Sequence, residues 1–189
     1  MSRKNVSKIA LLLIGLFAAV IAKGCGSSQS NFSRENKFSL PFGKSYSYED
    51  VLVERAVDGD TLKLENGERV RLIGIDTPEV HESRKLYRDS QRTKQDVQMI
   101  KKLGQKSWDF TRDMVEGKRV RLEFDVEKHD KYDRLLAYVY LKDGTFVNAE
   151  IIKQGYASLM TYPPNVKHVD TFKKLYQEAR EDNRGLWKE

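Results

Sequence analysis

The dipeptide Asn66–Gly67, set between "TLKLE" and "RVRLI", constrains this chain more than any other feature. Apolar and charged residues alternate on both sides and specify two half-buried strands, while Asn-Gly specifies the reversal between them. A strict two-residue loop would pair Leu62 with Arg71 and Lys63 with Val70, mixing apolar and charged side chains on each face. A loop over Asn66 to Glu68 instead pairs Leu64 with Val70 and Leu62 with Leu72. Continuing that ladder predicts Asp60 opposite Gly74 and Asp58 opposite Asp76, all on one face at the open end of the ribbon.

Further stretches read as strands over 49–57, 118–127 and 134–141, making five with 60–65 and 69–75. One helix is predicted to end at Val115–Glu116. A second covers 148–155 with Asn148 as N-cap and Gly155 as C-cap, and a third covers 169–183 before Gly185. In the last, Val169, Phe172, Tyr176 and Ala179 share one face, a core stripe. Trp108, Phe110, Phe146 and Trp187 are assigned to packing. The order of elements predicts an α+β fold, a five-stranded antiparallel β-barrel closed by about three helices.

At 189 residues the chain suits one domain plus a tail. Its formal net charge is +6, but Arg3, Lys4, Lys8 and Lys23 precede Cys25 in a region without acids, and the remainder carries 30 Lys and Arg against 28 Asp and Glu. Overall charge therefore says little about a polyanionic partner, and local clusters must carry that case. The apolar run over 9–22 follows a basic start and falls short of the roughly 20 residues a membrane-spanning helix needs. It is read as part of a signal peptide over 1–24, followed by a Ser-, Asn- and Gly-rich tether over 25–47 and a folded domain over 48–189. Cys25, the single cysteine, resembles the lipidated cysteine of a bacterial lipoprotein signal, which would anchor an exported chain to a membrane. Lys23 and Ala22 depart from that pattern, so plain secretion or an uncleaved anchor are the alternatives. With one cysteine there is no intrachain disulfide, and core packing must hold the domain.

The acids at the open end of the ribbon need a reason to gather. Asp58, Asp60 and Asp76 would repel one another unless a cation lay between them. Oxygen ligands with no His or Cys beside them suit a hard ion, Ca²⁺ before Mg²⁺. The plainer reading is that "DGD" makes a turn and "DTPE" caps one, which would explain either motif alone. Both motifs at one end of one hairpin favour a site. A metal beside Glu79 and arginines suits phosphodiester chemistry, since cations neutralise charge on the phosphoryl oxygens while a carboxylate orients or deprotonates water. Arg71 lies within the hairpin; Arg134 begins another strand and is not selected by composition alone.

The segments "VDGDTLKL", "VRLIGIDTPE", "DKYDRLLAYVY" and "VNAEIIKQGYA", in this order, resemble the thermonucleases, the staphylococcal nuclease family, over about residues 50–188. The resemblance implies an OB-fold barrel with packed helices and Ca²⁺-dependent cleavage of DNA and RNA that leaves 3′-phosphate ends. It implies Ca²⁺ ligation by Asp60, Asp76 and the Thr77 carbonyl, with Asp58 contributing nearby. It makes Glu79 the general base or water-positioning group, and Arg71 and Arg134 the phosphate-binding arginines. Lys131 and Tyr132 match positions that contact a terminal phosphate, and Tyr162 is similar to a base-stacking tyrosine. No feature calls for a protein partner, so a monomer is expected.

Between Glu79 and Trp108 the chain is longer than the family's usual segment, and from His81 to Lys106 it carries eight Lys and Arg against three Asp and Glu. Two readings stand for it. One is a phosphate grip beside the site, which would steepen the salt dependence of binding; the other is a solvated extra helix with Val97, Ile100 and Leu103 resting on the barrel. His81, His129 and His168 are scattered, which argues against a histidine mechanism. A catalytically inactive OB-fold module that binds nucleic acid, or an envelope scaffold, would have no reason to keep Asp60, Asp76, Glu79, Arg71 and Arg134 together.

Overall fold

The computed structural model describes residues 47–94 and 96–188, all within one compact unit, Gly43–Glu189. The apolar run, Cys25 and the tether up to residue 46 lie outside the described residues. Five strands close a barrel in the order β1 (Val51–Asp58), β2 (Thr61–Leu64), β3 (Arg69–Leu72), β6 (Leu135–Leu141) and β5 (Arg119–Glu123). Val51, Val53, Leu62, Leu64, Val70, Ala137 and Val139 point inward and are fully buried. The pairings are antiparallel except β3 with β6, where Val70 lies opposite Leu135 and Leu72 opposite Ala137 in parallel register. That departure from an all-antiparallel barrel follows from the long excursion between these strands, since parallel neighbours need an extended crossover.

The stretch 69–75 is not one strand. Gly74 adopts φ +85, and a Cβ there would lie 2.3 Å from the Phe172 ring. A residue with a side chain fits neither the backbone nor the space. The chain bends at this point, and β4 (Gly74–Asp76) leaves the barrel to pair with β7 (Ser158–Met160).

The hairpin register also differs from expectation. Its loop covers Glu65, Asn66 and Gly67, because the Leu64 N–H donates to the Glu68 carbonyl and the Gly67 N–H donates to the Leu64 carbonyl. Leu62 therefore faces Val70, and Thr61 faces Arg71. Gly67, at φ +88, takes the left-handed position at the end of the loop. A slip of two positions keeps the same side chains inward, so the core survives it. The acid ladder does not survive. β1 turns directly into β2 through Gly59, with Asp58 opposite Thr61, so Asp58 does not face Asp76. The Leu72 N–H donates to the Asp60 carbonyl at 2.9 Å.

The described residues form four α-helices where about three were expected: α1 (Arg84–Thr93), α2 (Val97–Val115), α3 (Val147–Lys153) and α4 (Val169–Glu181). The longer segment after Glu79 supplies α1 and extends α2 backwards, burying Leu86, Ile100 and Leu103. Asn148 is not the N-cap of α3. Phe146 holds that position without a side-chain bond, while Asn148, fully buried, accepts the Val139 N–H at 3.0 Å and donates to the Ile73 carbonyl at 2.9 Å. Its amide spans two polar strand edges that the barrel would otherwise bury unpaired. Gly155, one residue past the cap Gln154, ends α3 at φ +78. On α4, Phe172 and Ala179 are buried as the stripe predicts. Trp108 donates its indole N–H to the Ala56 carbonyl, Phe110 stacks on Tyr156 and Phe146 on Tyr140, so the aromatics pack. No helix among the described residues is long and apolar enough to cross a membrane.

Candidate active site

Asp60 anchors the acidic end of the barrel. It is 5% exposed; its Oδ2 accepts the Thr77 backbone N–H at 3.0 Å and the Thr77 hydroxyl at 3.1 Å, and its Oδ1 accepts the Thr61 hydroxyl at 3.0 Å. These bonds clamp the β1–β2 turn to the loop that begins at Thr77. The approach is close enough to demand glycine between the two acids: a Cβ on Gly59 would lie 2.8 Å from Thr77 Oγ1. From the other side, Thr111 on α2 donates its hydroxyl to the Gly59 carbonyl at 2.7 Å.

Arg71 faces outward from β3 and joins the two acids that the sequence singles out. Its Nη1 lies 2.8 Å from Asp60 Oδ2 and its Nη2 3.1 Å from Asp76 Oδ1. Asp60 and Asp76 are thus brought together, with a guanidinium between them. Asp58 turns its Oδ1 back to the Gly59 N–H at 2.8 Å. Burial first, and then the neighbouring Asp60 carboxylate, push Asp58 up to about 7. Burial also raises Asp76, against the opposing pull of Lys85 and Arg71. Among the described residues, no three His, Cys, Asp or Glu side chains converge as a ready-made ligand group. The expected nest of Asp58, Asp60 and Asp76 is corrected to a chain of acids, because the tight turn aims each carboxylate at a backbone N–H or an arginine.

The cation at the centre is one that sequence reasoning missed. Lys85, on the first turn of α1, donates to the Thr77 carbonyl at 2.9 Å and lies 3.0 Å from Asp76 Oδ1 and 2.9 Å from Glu79 Oε1. An ammonium has three donors, and here each meets one oxygen. Burial alone would depress the lysine, but the Asp76, Asp60 and Glu79 carboxylates outweigh it and hold the group above its ordinary value. Ser83 sets the helix in place: its Oγ accepts the Leu86 N–H at 3.1 Å as N-cap and donates to Glu79 Oε2 at 3.2 Å. The sequence signal was present, a serine before a helical run with a buried Leu86, but nothing in it said which way α1 would lie.

Gly104 was missed for a similar reason. It sits on α2 where the helix meets the loop behind the acids, and a Cβ there would lie 2.5 Å from the Glu79 carbonyl oxygen. The helix thereby sets the height of the Glu79 backbone.

Asp58, Asp60, Arg71, Asp76 and Glu79 line a cleft of about 720 Å³ whose other wall carries Lys131, Tyr132, Arg134 and Tyr162. Asp130 holds Arg134 by one edge, with Oδ2 accepting Nε at 2.8 Å and Nη2 at 2.6 Å, while its Oδ1 accepts the Arg134 backbone N–H at 3.0 Å. Tyr132 and Tyr162 are 68% and 71% exposed; Lys131 Nζ lies 5.0 Å and the Arg134 guanidinium carbon 5.5 Å from the centre of the Tyr132 ring. Arg88 of α1 reaches the same cleft, as does His129. Of the extra segment, Ile100 and Leu103 rest in the interior, as the extra-helix reading expects, and Lys85 and Arg88 line the cleft. The atoms around the Lys85 ammonium are all oxygens, two carboxylates and a carbonyl, a set whose chemistry suits a hard cation.

The chain is similar to the thermonuclease of Staphylococcus intermedius, at 37% identity over 153 residues, which cover 78% of this chain and 83% of that one. It is similar to endonuclease YncB of Bacillus subtilis at 31% identity over 209 aligned positions, 96% of this chain and 92% of the other. The SPbeta prophage-derived endonuclease YokF of the same organism is 38% identical over 143 residues, 73% of this chain but 44% of its own length. A family profile described as staphylococcal nuclease homologue matches residues 69–189, which include Arg71, Asp76, Thr77, Glu79 and Arg134. With the closed five-stranded barrel and this sequence match, the chain belongs to the staphylococcal nuclease family.

Proposed function

We propose that the chain is an exported, Ca²⁺-dependent nuclease that hydrolyses phosphodiester bonds of DNA and RNA and leaves 3′-phosphate ends. The observation that carries this reading is one cleft shared by the oxygens of Asp60, Asp76 and Glu79, the guanidiniums of Arg71 and Arg134, and two exposed tyrosines. The activities that name the relatives, thermonuclease and endonuclease, support the reaction class. Export is supported by the basic start and apolar run before Cys25, with a lipid on that cysteine as the proposed membrane anchor.

Asp60, Asp76 and the Thr77 carbonyl would hold the Ca²⁺, with Asp58 beside them, and the bound ion would act as a Lewis acid on a phosphoryl oxygen. The chain's own residues supply the rest. Arg71 and the Nη1 edge of Arg134 meet the remaining phosphoryl oxygens, where planar guanidiniums bond in pairs. Glu79 accepts the proton of the attacking water. Leaving a 3′-phosphate requires the P–O5′ bond to break, so the water oxygen joins phosphorus, the departing 5′ oxygen takes a proton from solvent, and Glu79 returns its proton to solvent. Lys131 and Tyr132 hold a terminal phosphate, and Tyr162 offers its ring to a base.

The purified chain should cleave DNA and RNA with Ca²⁺ present and stop when EGTA is added. Glu79→Gln should lower turnover on the order of a hundredfold or more while leaving oligonucleotide affinity nearly unchanged. Oligonucleotide binding without Ca²⁺-stimulated cleavage by the unsubstituted chain would replace the nuclease reading with a binding module.

A further inference from the structure

We propose that Lys85 is a tethered counter-ion of the acidic centre, holding the place of the divalent cation so that the metal enters only as the lysine leaves. The proposal rests on the Ca²⁺ reading above and adds a residue which that reading does not use. Lys85 Nζ takes the Thr77 carbonyl at 2.9 Å and Asp76 Oδ1 at 3.0 Å, two of the three groups assigned to the ion. A Ca²⁺ would sit about 2.3–2.6 Å from the same oxygens, leaving no room for an ammonium among them. The third bond, to Glu79 Oε1 at 2.9 Å, also ties up the carboxylate that must receive a water proton. One side chain thus occupies both the ion's ligands and the base.

The placement of Lys85 is set by the fold. Leu86 is fully buried beside it, and Ser83 ties the first turn of α1 to Glu79 Oε2 at 3.2 Å. The stem can still swing, since the Lys85 side chain is 21% exposed and Arg88 on the same helix opens to the cleft. Charge gives the effect its direction. Asp58, Asp60, Asp76 and Glu79 face the cations Arg71 and Lys85, so removing Lys85 leaves a more negative centre for a divalent ion. In the metal-free chain the lysine offsets repulsion among the acids; with metal bound its ammonium is released toward the cleft, where a phosphate can take it.

Isothermal titration calorimetry with CaCl₂ on the full chain tests this. Lys85→Met, which keeps the stem and removes the charge, should bind Ca²⁺ on the order of tenfold more tightly, the usual size of a coupling between sites. Lys85→Arg should stay near the parent. Without metal, Lys85→Met should melt at a lower temperature than the parent, and Ca²⁺ should raise its melting temperature by more. In the parent itself, the ammonium ¹⁵N–¹H signal of Lys85, protected by three hydrogen bonds, should be lost as Ca²⁺ is added. Unchanged or weaker Ca²⁺ binding by Lys85→Met, with the parent binding normally, overturns the tethered counter-ion alone. No Ca²⁺ binding by either chain removes the Ca²⁺ reading and the counter-ion together.

Discussion

Arg134 shows how much a single neighbour decides. A guanidinium at a strand start is ordinarily a solvated charge, but Asp130 four positions earlier accepts two of its N–H groups and its backbone N–H, which turns the side chain into the cleft wall. Burial pushes the Asp130 carboxyl up, but the Arg134 and Tyr132 bonds outweigh this and hold it below its ordinary 3.8. A folded-state value below the unfolded one contributes stability that is complete above pH 3.8 and lost as pH falls through the lower folded value. Asp130→Asn should therefore cost about 1–2 kcal/mol at neutral pH, with the difference from the parent shrinking in acid. Denaturation measured at neutral pH and near pH 3 checks the sign; an equal difference at both would exclude the charge as the cause. Phosphate affinity should fall alongside, because Arg134 loses the partner that orients it.

At the scale of elements, the loop that carries Thr77 and Glu79 is shaped by what presses on it from both sides. The β1–β2 turn clamps its start through Asp60, and α2 meets its backbone at Gly104. Gly104→Ala would gain helix propensity of up to about 1 kcal/mol. It would also drive a methyl to within 2.5 Å of the Glu79 carbonyl, and backbone cannot yield as a side-chain tip does. Overpacking of this kind costs about 1–3 kcal/mol and should win. Melting temperature should drop, and turnover should fall by about tenfold or more, since small displacements of a catalytic group are costly. Normal turnover in a folded Gly104→Ala would show that the loop's position does not depend on α2.

For the whole molecule, one buried amide ties β6 to the bend between β3 and β4. Asn148 bonds β6 and the Ile73 carbonyl from inside, at a point where no water reaches, with 0% exposure. Asn148→Ala should destabilise the domain by about 2–4 kcal/mol, since it strands a buried N–H and a buried carbonyl at once. Chemical denaturation gives the value, and a loss under about 0.5 kcal/mol, typical of surface changes, would remove the assigned role.

Much of this architecture was legible in the chain. Period-two patterning marked the five barrel strands, the Asn66–Gly67 pair marked the hairpin, and the paired motifs "DGD" and "DTPE" marked the acidic end. These signals are local: alternation, turn chemistry and spacing depend on neighbours along the chain. The exact register was not local. It depended on Gly67 taking the left-handed position, and a slip of two positions leaves the buried face identical, so hydrophobic pattern could not choose between the two. Asn148 was read as a cap because asparagine before a helical run commonly is one; burial against β6 and against the distant bend at Ile73 gave it different partners.

What the sequence determined by itself was the set of parts: strands, turns, acids and arginines, and through their order the family. What only the tertiary structure decided was which charge meets which. Arg71 lies between Asp60 and Asp76, and Lys85 lies among Asp76, Thr77 and Glu79, because a helix anchored by Leu86 and a bend at Gly74 bring separate stretches within 3 Å or so of one another. Electrostatic partnership falls steeply with distance and desolvation, and neither quantity exists until the chain has folded.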